Sequence, residues 1–292
     1  MTLYHYCSTE AFVSIVSSGT LRLSMLNMTN DFLEGRWALH VFEEMCKRDD
    51  ATKQHLERLR VIAARGGEIT LVAGFCLSEE PDQVSQWRGY ARDGTGFSIG
   101  LRRDRIDQLG SHYRDNFGFG FSLQRVLYRR DEQEAELAPL FRSAKSFVER
   151  GALKSQAVTL LNLANREEWE LEKTRIQKEW TGLWWSLAPM MFQLFMMKNP
   201  AFSDEKEWRV MAFLVSKPGE IDLDQMQLCR FRAAGDRVIP YVDVDLSLVK
   251  EDVIEEVLLG PKNITPERYL SGLLENSGFK NVRIRRSEAS YR

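Results

Sequence analysis

Histidine and cysteine are scarce here, four of each in 292 residues. Cys7, Cys46, Cys76 and Cys229 stand far apart with no CxxC spacing, which argues against a zinc site and against a disulfide framework. A reducing, cytoplasmic setting is the default that follows. No stretch approaches the ~20 apolar residues that a bilayer crossing needs, so no membrane association is expected. The opening Met1-Thr-Leu-Tyr-His-Tyr has neither a basic region nor an apolar core, so no secretory signal is read there. Charge of one sign is not in excess: 40 basic against 42 acidic residues give a net charge of -2. That balance excludes a global attraction to nucleic acid and leaves local basic patches open. There is no GxxxxGK[ST], GxSxG or HExxH, and no GxGxxG opens a helix after a strand. Repeats, low-complexity tracts and a dividing linker are also absent. The chain therefore reads as a single α+β domain over 1–292, with 132–197 as a helical insertion or lobe.

Periodicity supplies the elements. Leu3–Cys7 reads as a strand, Ser8 or Thr9 caps a helix that Gly19 stops, and Leu21–Ser24 is a second strand. A polar loop is expected over 27–35. Arg36–Arg65 has a helical pattern that Asp49 and Asp50 break in two. Strands follow at Ile69–Leu77 and Phe97–Leu101, separated by a short helix carrying Trp87 and Tyr90 and by the turn Asp93-Gly-Thr-Gly96. Further strands are expected within 118–123 and at Arg125–Tyr128, Trp208–Val215, Arg237–Asp245, Ile254–Leu259 and Val282–Arg286. Pro218-Gly219 is read as a turn, Pro240 as the mark of an edge or bulge, and Thr265 as the cap of a helix that runs to Gly278. The methionine- and tryptophan-rich stretch 181–197 is read as a core helix.

One stretch concentrates chemistry. Lys198–Val215 joins a breaker cluster to an apolar strand, and Glu205 and Glu207 stand at the junction. In an extended segment, residues two apart share a face. One alternative is a solvated strand end with charge on its open side; another pairs Arg209 structurally with Glu205 and leaves Glu207 alone at the site. His5 on the first strand lies two residues from Cys7, so a Cys–His nucleophile pair is a further option, with packing as the alternative.

Histidine, aromatic and glutamate in that order resemble the core of the ADP-ribosyltransferase superfamily. Gly74-Phe-Cys-Leu followed by Ser85-Gln-Trp-Arg-Gly-Tyr90 resembles the strand–helix segment of poly(ADP-ribose) polymerase-like enzymes. The opening Tyr4-His-Tyr, with Ile15 and Ser18-Gly19-x-Leu21, resembles bacterial DNA-targeting toxins of that superfamily. Across the chain, four segments resemble the bacterial family known as domain of unknown function 2971: Leu3-Tyr-His-Tyr, Ser85-Gln-Trp-Arg-Gly-Tyr-Ala, Lys198-Asn-x-x-Phe-x-x-Glu205-x-Glu207-Trp-Arg209 and Val257-Leu-Leu-Gly-Pro-Lys262. These span nearly all of the chain outside 100–180.

The resemblance implies a split antiparallel or mixed sheet and NAD as substrate. It makes Glu207 and Glu205 the catalytic acids and assigns NAD contacts to His5, Tyr6, Phe75, Trp87 and Tyr90. Phe75 stands where many polymerase-type relatives have tyrosine, a change that keeps ring stacking and removes a hydroxyl. Each residue has a plain structural alternative: His5 as a satisfied half-buried histidine, and Phe75, Trp87 and Tyr90 as core. The functions implied are an ADP-ribosyltransferase, as a toxin or phage-defence effector on nucleic acid or protein, with an antitoxin-type partner; an NAD glycohydrolase; or a non-catalytic nucleotide or nucleic-acid binding module.

Overall fold

The computed structural model describes residues 1–28, 36–68, 70–117, 119–155, 165–215, 229–234 and 236–290. The polar loop expected over 27–35 lies outside this set from residue 29 onward, as does the turn at Pro218-Gly219.

The chain divides into two compact units. The first comprises 1–30, 71–126 and 201–292, the second 31–70 and 127–200. The first unit holds a ten-stranded mixed sheet: β1 (Thr2–Cys7), β2 (Thr20–Met25), β3 (Thr70–Ser78), β4 (Phe97–Arg102), β5 (Phe121–Arg125), β6 (Glu207–Val215), β7 (Arg230–Ala234), β8 (Arg237–Asp245), β9 (Ile254–Leu259) and β10 (Arg283–Arg286). The strands run β10-β9-β4-β1-β3-β2-β8-β7, and β6 lies against both β3 and β5. β10 is parallel to β9; β1/β4, β2/β8 and β4/β9 are antiparallel.

β3 has three neighbours but only two edges, so β1 and β2 must divide one between them. β2 meets it at Gly74 and Ala73, and β1 meets it once, at Tyr4 opposite Ser78. Past Tyr4, β1 continues on β4 alone, pairing through Cys7 with Phe97. The sheet is therefore split between β1 and β3.

The opening strand–helix–strand forms as expected. Helix Thr9–Ser18 is capped by Ser8, whose hydroxyl accepts from the Ala11 amide at 3.2 Å. Its buried Phe12, Ile15 and Val16 join Leu21, Leu23, Val242 and Val244 in the main core. Helix Arg103–Phe117 packs Ile106, Leu109 and Tyr113 into the same core. Neither this helix nor β7 is among the elements expected from the sequence. Arg125–Tyr128 is not a strand of its own, since β5 ends at Arg125. β8 has neighbours on both sides, but β2 covers only 241–245 and β7 only 237–241. Pro240 thus lies beyond the β2 ladder, on the stretch of β8 that β7 alone covers, opposite Phe231. Thr265 does not cap the last helix, Glu267–Asn276, which begins after Pro266 without a side-chain cap. Asn263 organises that entry instead, accepting from the Thr265 amide at 2.8 Å.

The second unit is helical among its described residues. Trp37–Lys47 and Leu56–Glu68 pack with Arg130–Glu149, Arg166–Leu187 and Met190–Gln193. The break between the first two helices is where Asp49 accepts from the Ala51 and Thr52 amides at 3.0 and 3.1 Å. The stretch 181–197 does not form one helix, because the chain breaks between Leu187 and Met190, at Pro189. Gln133, with no exposed surface, accepts from the Trp37 indole at 3.0 Å and donates to the Leu127 and Lys198 carbonyls at 2.8 and 2.9 Å. No helix of the described residues is long and apolar enough to cross a membrane.

The turn 93–96 serves packing. A Cβ on Gly96 would fall 2.1 Å from the Cys7 carbonyl oxygen, and one on Gly260 would fall 2.3 Å from that of Gly94. Two glycine positions should therefore respond with opposite sign. Gly96→Ala should cost about 1–3 kcal/mol through overpacking against backbone. Gly272→Ala, in helix Glu267–Asn276 with nothing within 4 Å of the new methyl, should gain about 0.5–1 kcal/mol. Calorimetric melting of both variants checks this; shifts of the same sign would contradict it.

Candidate functional site

Strand alternation sorts the residues of β1. Leu3 and Cys7 belong to the main core, while Tyr4 and Tyr6 pack with Trp87, Ala91 and Leu258 in a separate cluster. His5 shares the Leu3 and Cys7 side. Its ring stacks on Phe75 of β3 at 4.0 Å between centroids and 26° between planes. Its Nδ1 lies 2.9 Å from the Cys76 carbonyl oxygen. A half-buried imidazole thus bridges the opening where β1 and β3 part.

The protonation state follows. Burial pushes the His5 pKa down to about 4, against the pull of the Cys76 carbonyl. At neutral pH the ring carries one proton. A carbonyl can only accept, so that proton sits on Nδ1 and leaves Nε2 as an acceptor. Cys7 does not act as its nucleophile: the thiol is buried, its pKa is raised to about 12 by that burial, and it stays protonated.

The second half of the site is the turn before β6. Here the expectation that Glu205 and Glu207 share a strand face fails. Glu205 ends a 3₁₀ turn, Pro200–Glu205, and Lys206 has φ 43°. A left-handed residue between the two acids reverses the simple alternation. The turn is tied at several points to the end of β3 and helix Val84–Tyr90. Ser78 Oγ donates to the Glu205 carbonyl at 2.7 Å. The Glu79 amide donates to the Lys206 carbonyl at 3.1 Å, and Lys206 Nζ pairs with Glu80. Gln83 Nε2 donates to the Asp204 carbonyl at 2.8 Å and Ser85 Oγ to the Asp204 carboxylate at 3.2 Å. Tyr90, 52% exposed, donates its hydroxyl to Glu205 Oε1 at 3.3 Å. Tyr90 and Glu205 are thus neighbours at the surface of this unit.

Glu207 is placed differently. It is the first residue of β6 and is buried, and Arg209, buried and two residues on, holds it with two bonds: Nε to Oε1 at 2.8 Å and an Nη to Oε2 at 2.9 Å. The ion pair weighed for Arg209 with Glu205 is therefore formed with Glu207. Of the two acids, Glu205 is the more open. Trp87 is fully buried, with its indole N–H donating to Asp82 at 2.6 Å, so it has no face to offer a ligand. The Tyr6 side chain is engaged too, donating to the Glu80 carbonyl at 2.7 Å and accepting from the Gln83 amide at 3.0 Å. His5 and Phe75 are brought together, as are Tyr90 and Glu205. Tyr6 and Trp87 form a third group on the other side of β1.

Sequence reasoning missed Ser78, Asp204 and the Cys76 carbonyl. Asp204 in a breaker cluster was a visible signal. The other two act through pairings that no local pattern announces.

Two measurements check this geometry. Glu207→Gln leaves the Arg209 guanidinium without its bidentate carboxylate and should destabilise by about 3–5 kcal/mol. Glu207→Leu combined with Arg209→Met should recover most of that loss, because an apolar pair of similar volume has no charge to desolvate. Equal losses in the single and double variants would refute the pairing. For His5, the folded pKa of about 4 lies below the ordinary 6.5, so between these values the unfolded chain binds the extra proton. Stability should then fall as pH drops through this window and be fully present above it. Urea midpoints at pH 7.5 and 4.5 should drop less in His5→Gln than in wild type; identical drops would show that His5 does not contribute.

No curated protein matches the chain, and no solved structure does. Residues 86–210 match the family described as Protein of unknown function (DUF2971). The matched stretch includes Trp87, Tyr90, Glu205, Glu207 and Arg209 and excludes His5 and Phe75; over it, the chain is similar to that family.

Proposed function

We propose that the chain is an NAD-consuming ADP-ribosyltransferase working from the β1/β3 opening and the turn before β6. The observation that carries the reading is His5, a neutral imidazole held on the Cys76 carbonyl at the opening of a split mixed sheet. Its Nε2 suits a ribose hydroxyl, which donates to it. A split mixed sheet is what the resemblance to ADP-ribosyltransferases implies, and it supports the reading. Tyr90 is the exposed aromatic ring that can cover a cationic nicotinamide. Of the two glutamates, Glu205 is the one with access to solvent.

In the reaction, the bond between ribose C1′ and the nicotinamide nitrogen breaks, and the electron pair leaves with nicotinamide. Positive charge develops at C1′, where a carboxylate stabilises it. The acceptor's nucleophilic atom then bonds to C1′ and gives up its proton to Glu205. Glu207 keeps Arg209 satisfied and so fixes the start of β6. The acceptor is nucleic acid or protein, as for a toxin or phage-defence effector, and an antitoxin-type partner belongs to this reading. Two observations favour the binding-module alternative: Glu207 is committed to Arg209, and Trp87 is enclosed.

NAD labelled in its adenylate half, incubated with protein, DNA and RNA, separates the readings. Label on a macromolecule supports transfer, free ADP-ribose indicates a glycohydrolase, and an unchanged pool indicates a binding module. Glu205→Gln should retain its melting temperature and lose transfer on the order of a hundredfold. A hundredfold excess of NAD over its Kd should stabilise the fold by about 2.7 kcal/mol, a melting shift of roughly a few degrees. If NAD leaves the melt unmoved and calorimetry detects no binding, both NAD-consuming readings fail.

A further inference from the structure

The helical unit contains a cleft of about 650 Å³, within the size range of small-molecule sites. One wall is a single face of helix Leu56–Glu68, where Arg58, Val61, Ile62 and Arg65 recur at i, i+3, i+4 and i+7. At 1.5 Å per residue the two arginine Cα atoms stand about 10 Å apart, with the apolar pair between them. Leu153, Ile176 and Trp180 face them. The Trp180 ring stacks on Trp184 at 5.9 Å and 21°, which holds it as a fixed flat wall. Val61 is 48% exposed, so an apolar surface is open to the cleft.

Charge in the cleft is not balanced. Lys154 is paired with Glu172 at 3.1 Å, and Glu57 with Arg60 at 3.1 Å. Arg58 donates one N–H to the Leu153 carbonyl at 2.9 Å. That bond orients its guanidinium, which has five donors in all. Neither Arg58 nor Arg65 has a carboxylate partner among the described residues, so the cleft keeps two positive charges beside apolar walls.

We propose that this cleft binds a small amphiphilic anion, a carboxylate, phosphate or sulfonate head on a flat apolar body. The head would take the charge-assisted bonds of an arginine. The body would lie between Val61, Ile62 and the Trp180 face. This inference concerns the helical unit only and is independent of the chemistry proposed at the strand split.

The probe is 8-anilinonaphthalene-1-sulfonate, followed by titration calorimetry on the full chain. We expect one site per chain. Its neutral analogue N-phenyl-1-naphthylamine should bind about tenfold more weakly or less well still, since it lacks the charged head. Arg65→Gln, an exposed position, should weaken the sulfonate about tenfold at unchanged melting temperature. Val61→Glu should abolish binding, because it places an anion in the middle of the apolar wall. 1-Naphthyl phosphate and 1-naphthoate should displace the probe, and the more effective of the two identifies the head. Equal affinity for the neutral analogue would overturn the proposal. So would unchanged affinity in both variants, or displacement by decanoate but by neither aryl acid.

Discussion

The hydroxyl of Ser78 holds together what the rest of the first unit builds on. It is buried, accepts from the Glu80 amide at 3.1 Å and donates to the Glu205 carbonyl at 2.7 Å. Its residue is also where the β1 backbone pairs with β3 in the sheet ladder, opposite Tyr4. Three segments distant in sequence therefore meet at one residue: the first strand through its backbone, the end of the third, and the turn before the sixth through the hydroxyl. Each amide or carbonyl there is a group that burial would penalise if left alone. Satisfying them at Ser78 fixes where Glu205 stands, at the level where β1 parts from β3.

Buried charge sets the remaining strand ends. Glu256 on β9 accepts from Tyr4 at 2.7 Å and from Arg285 at 2.9 and 3.1 Å. Burial would raise its pKa, but the bonds from Arg285 and Tyr4 prevail and keep it below the usual carboxylate range. β10, a parallel strand of four residues, is held by three arginines: Arg285 on Glu256, Arg283 on Glu255, and Arg286 on Glu267 and the Asn263 and Thr265 carbonyls. Glu207 and Arg209 do the same at the start of β6. In both places a carboxylate is spent on architecture, so an acid at a strand mouth is not by itself a catalytic acid.

What the chain announced locally was legible. Ser8, Gly19 and the alternation of Leu21 and Leu23 marked the opening elements, and Asp49 marked the helix break. Helix Arg103–Phe117 carried Ile106, Leu109 and Tyr113 at helical spacing, but its surroundings are so polar that the signal was weak. β7, with Arg230 and Arg232 exposed around Phe231, has no apolar face of its own to read. The candidate site was legible as residue types and not as a grouping. Tyr6 and Trp87 separate from His5 because alternation along β1 puts them on opposite sides. The split sheet was implied only by resemblance to other proteins. Which strand leaves which partner depends on pairings some seventy residues apart, and no pattern within a strand encodes that.

Lys206 shows why the two acids took different roles. A lysine at φ 43° costs on the order of 1 kcal/mol relative to a right-handed conformation. Nothing about lysine signals such a turn, so extended alternation was the natural reading of Glu205-Lys-Glu207. The local bonds offset the strain: the Lys206 carbonyl accepts from the Glu79 amide and its ammonium pairs with Glu80. With the backbone turned there, Glu205 stays beside Tyr90 while Glu207 enters the strand and meets Arg209. A regular strand through 205–207 would have put both carboxylates on Arg209's face, since residues 205, 207 and 209 alternate together. One guanidinium would then have faced two acids in a buried setting, where an uncompensated charge is expensive. The strained lysine separates the acid that enters the strand on Arg209 from the acid that stays beside Tyr90.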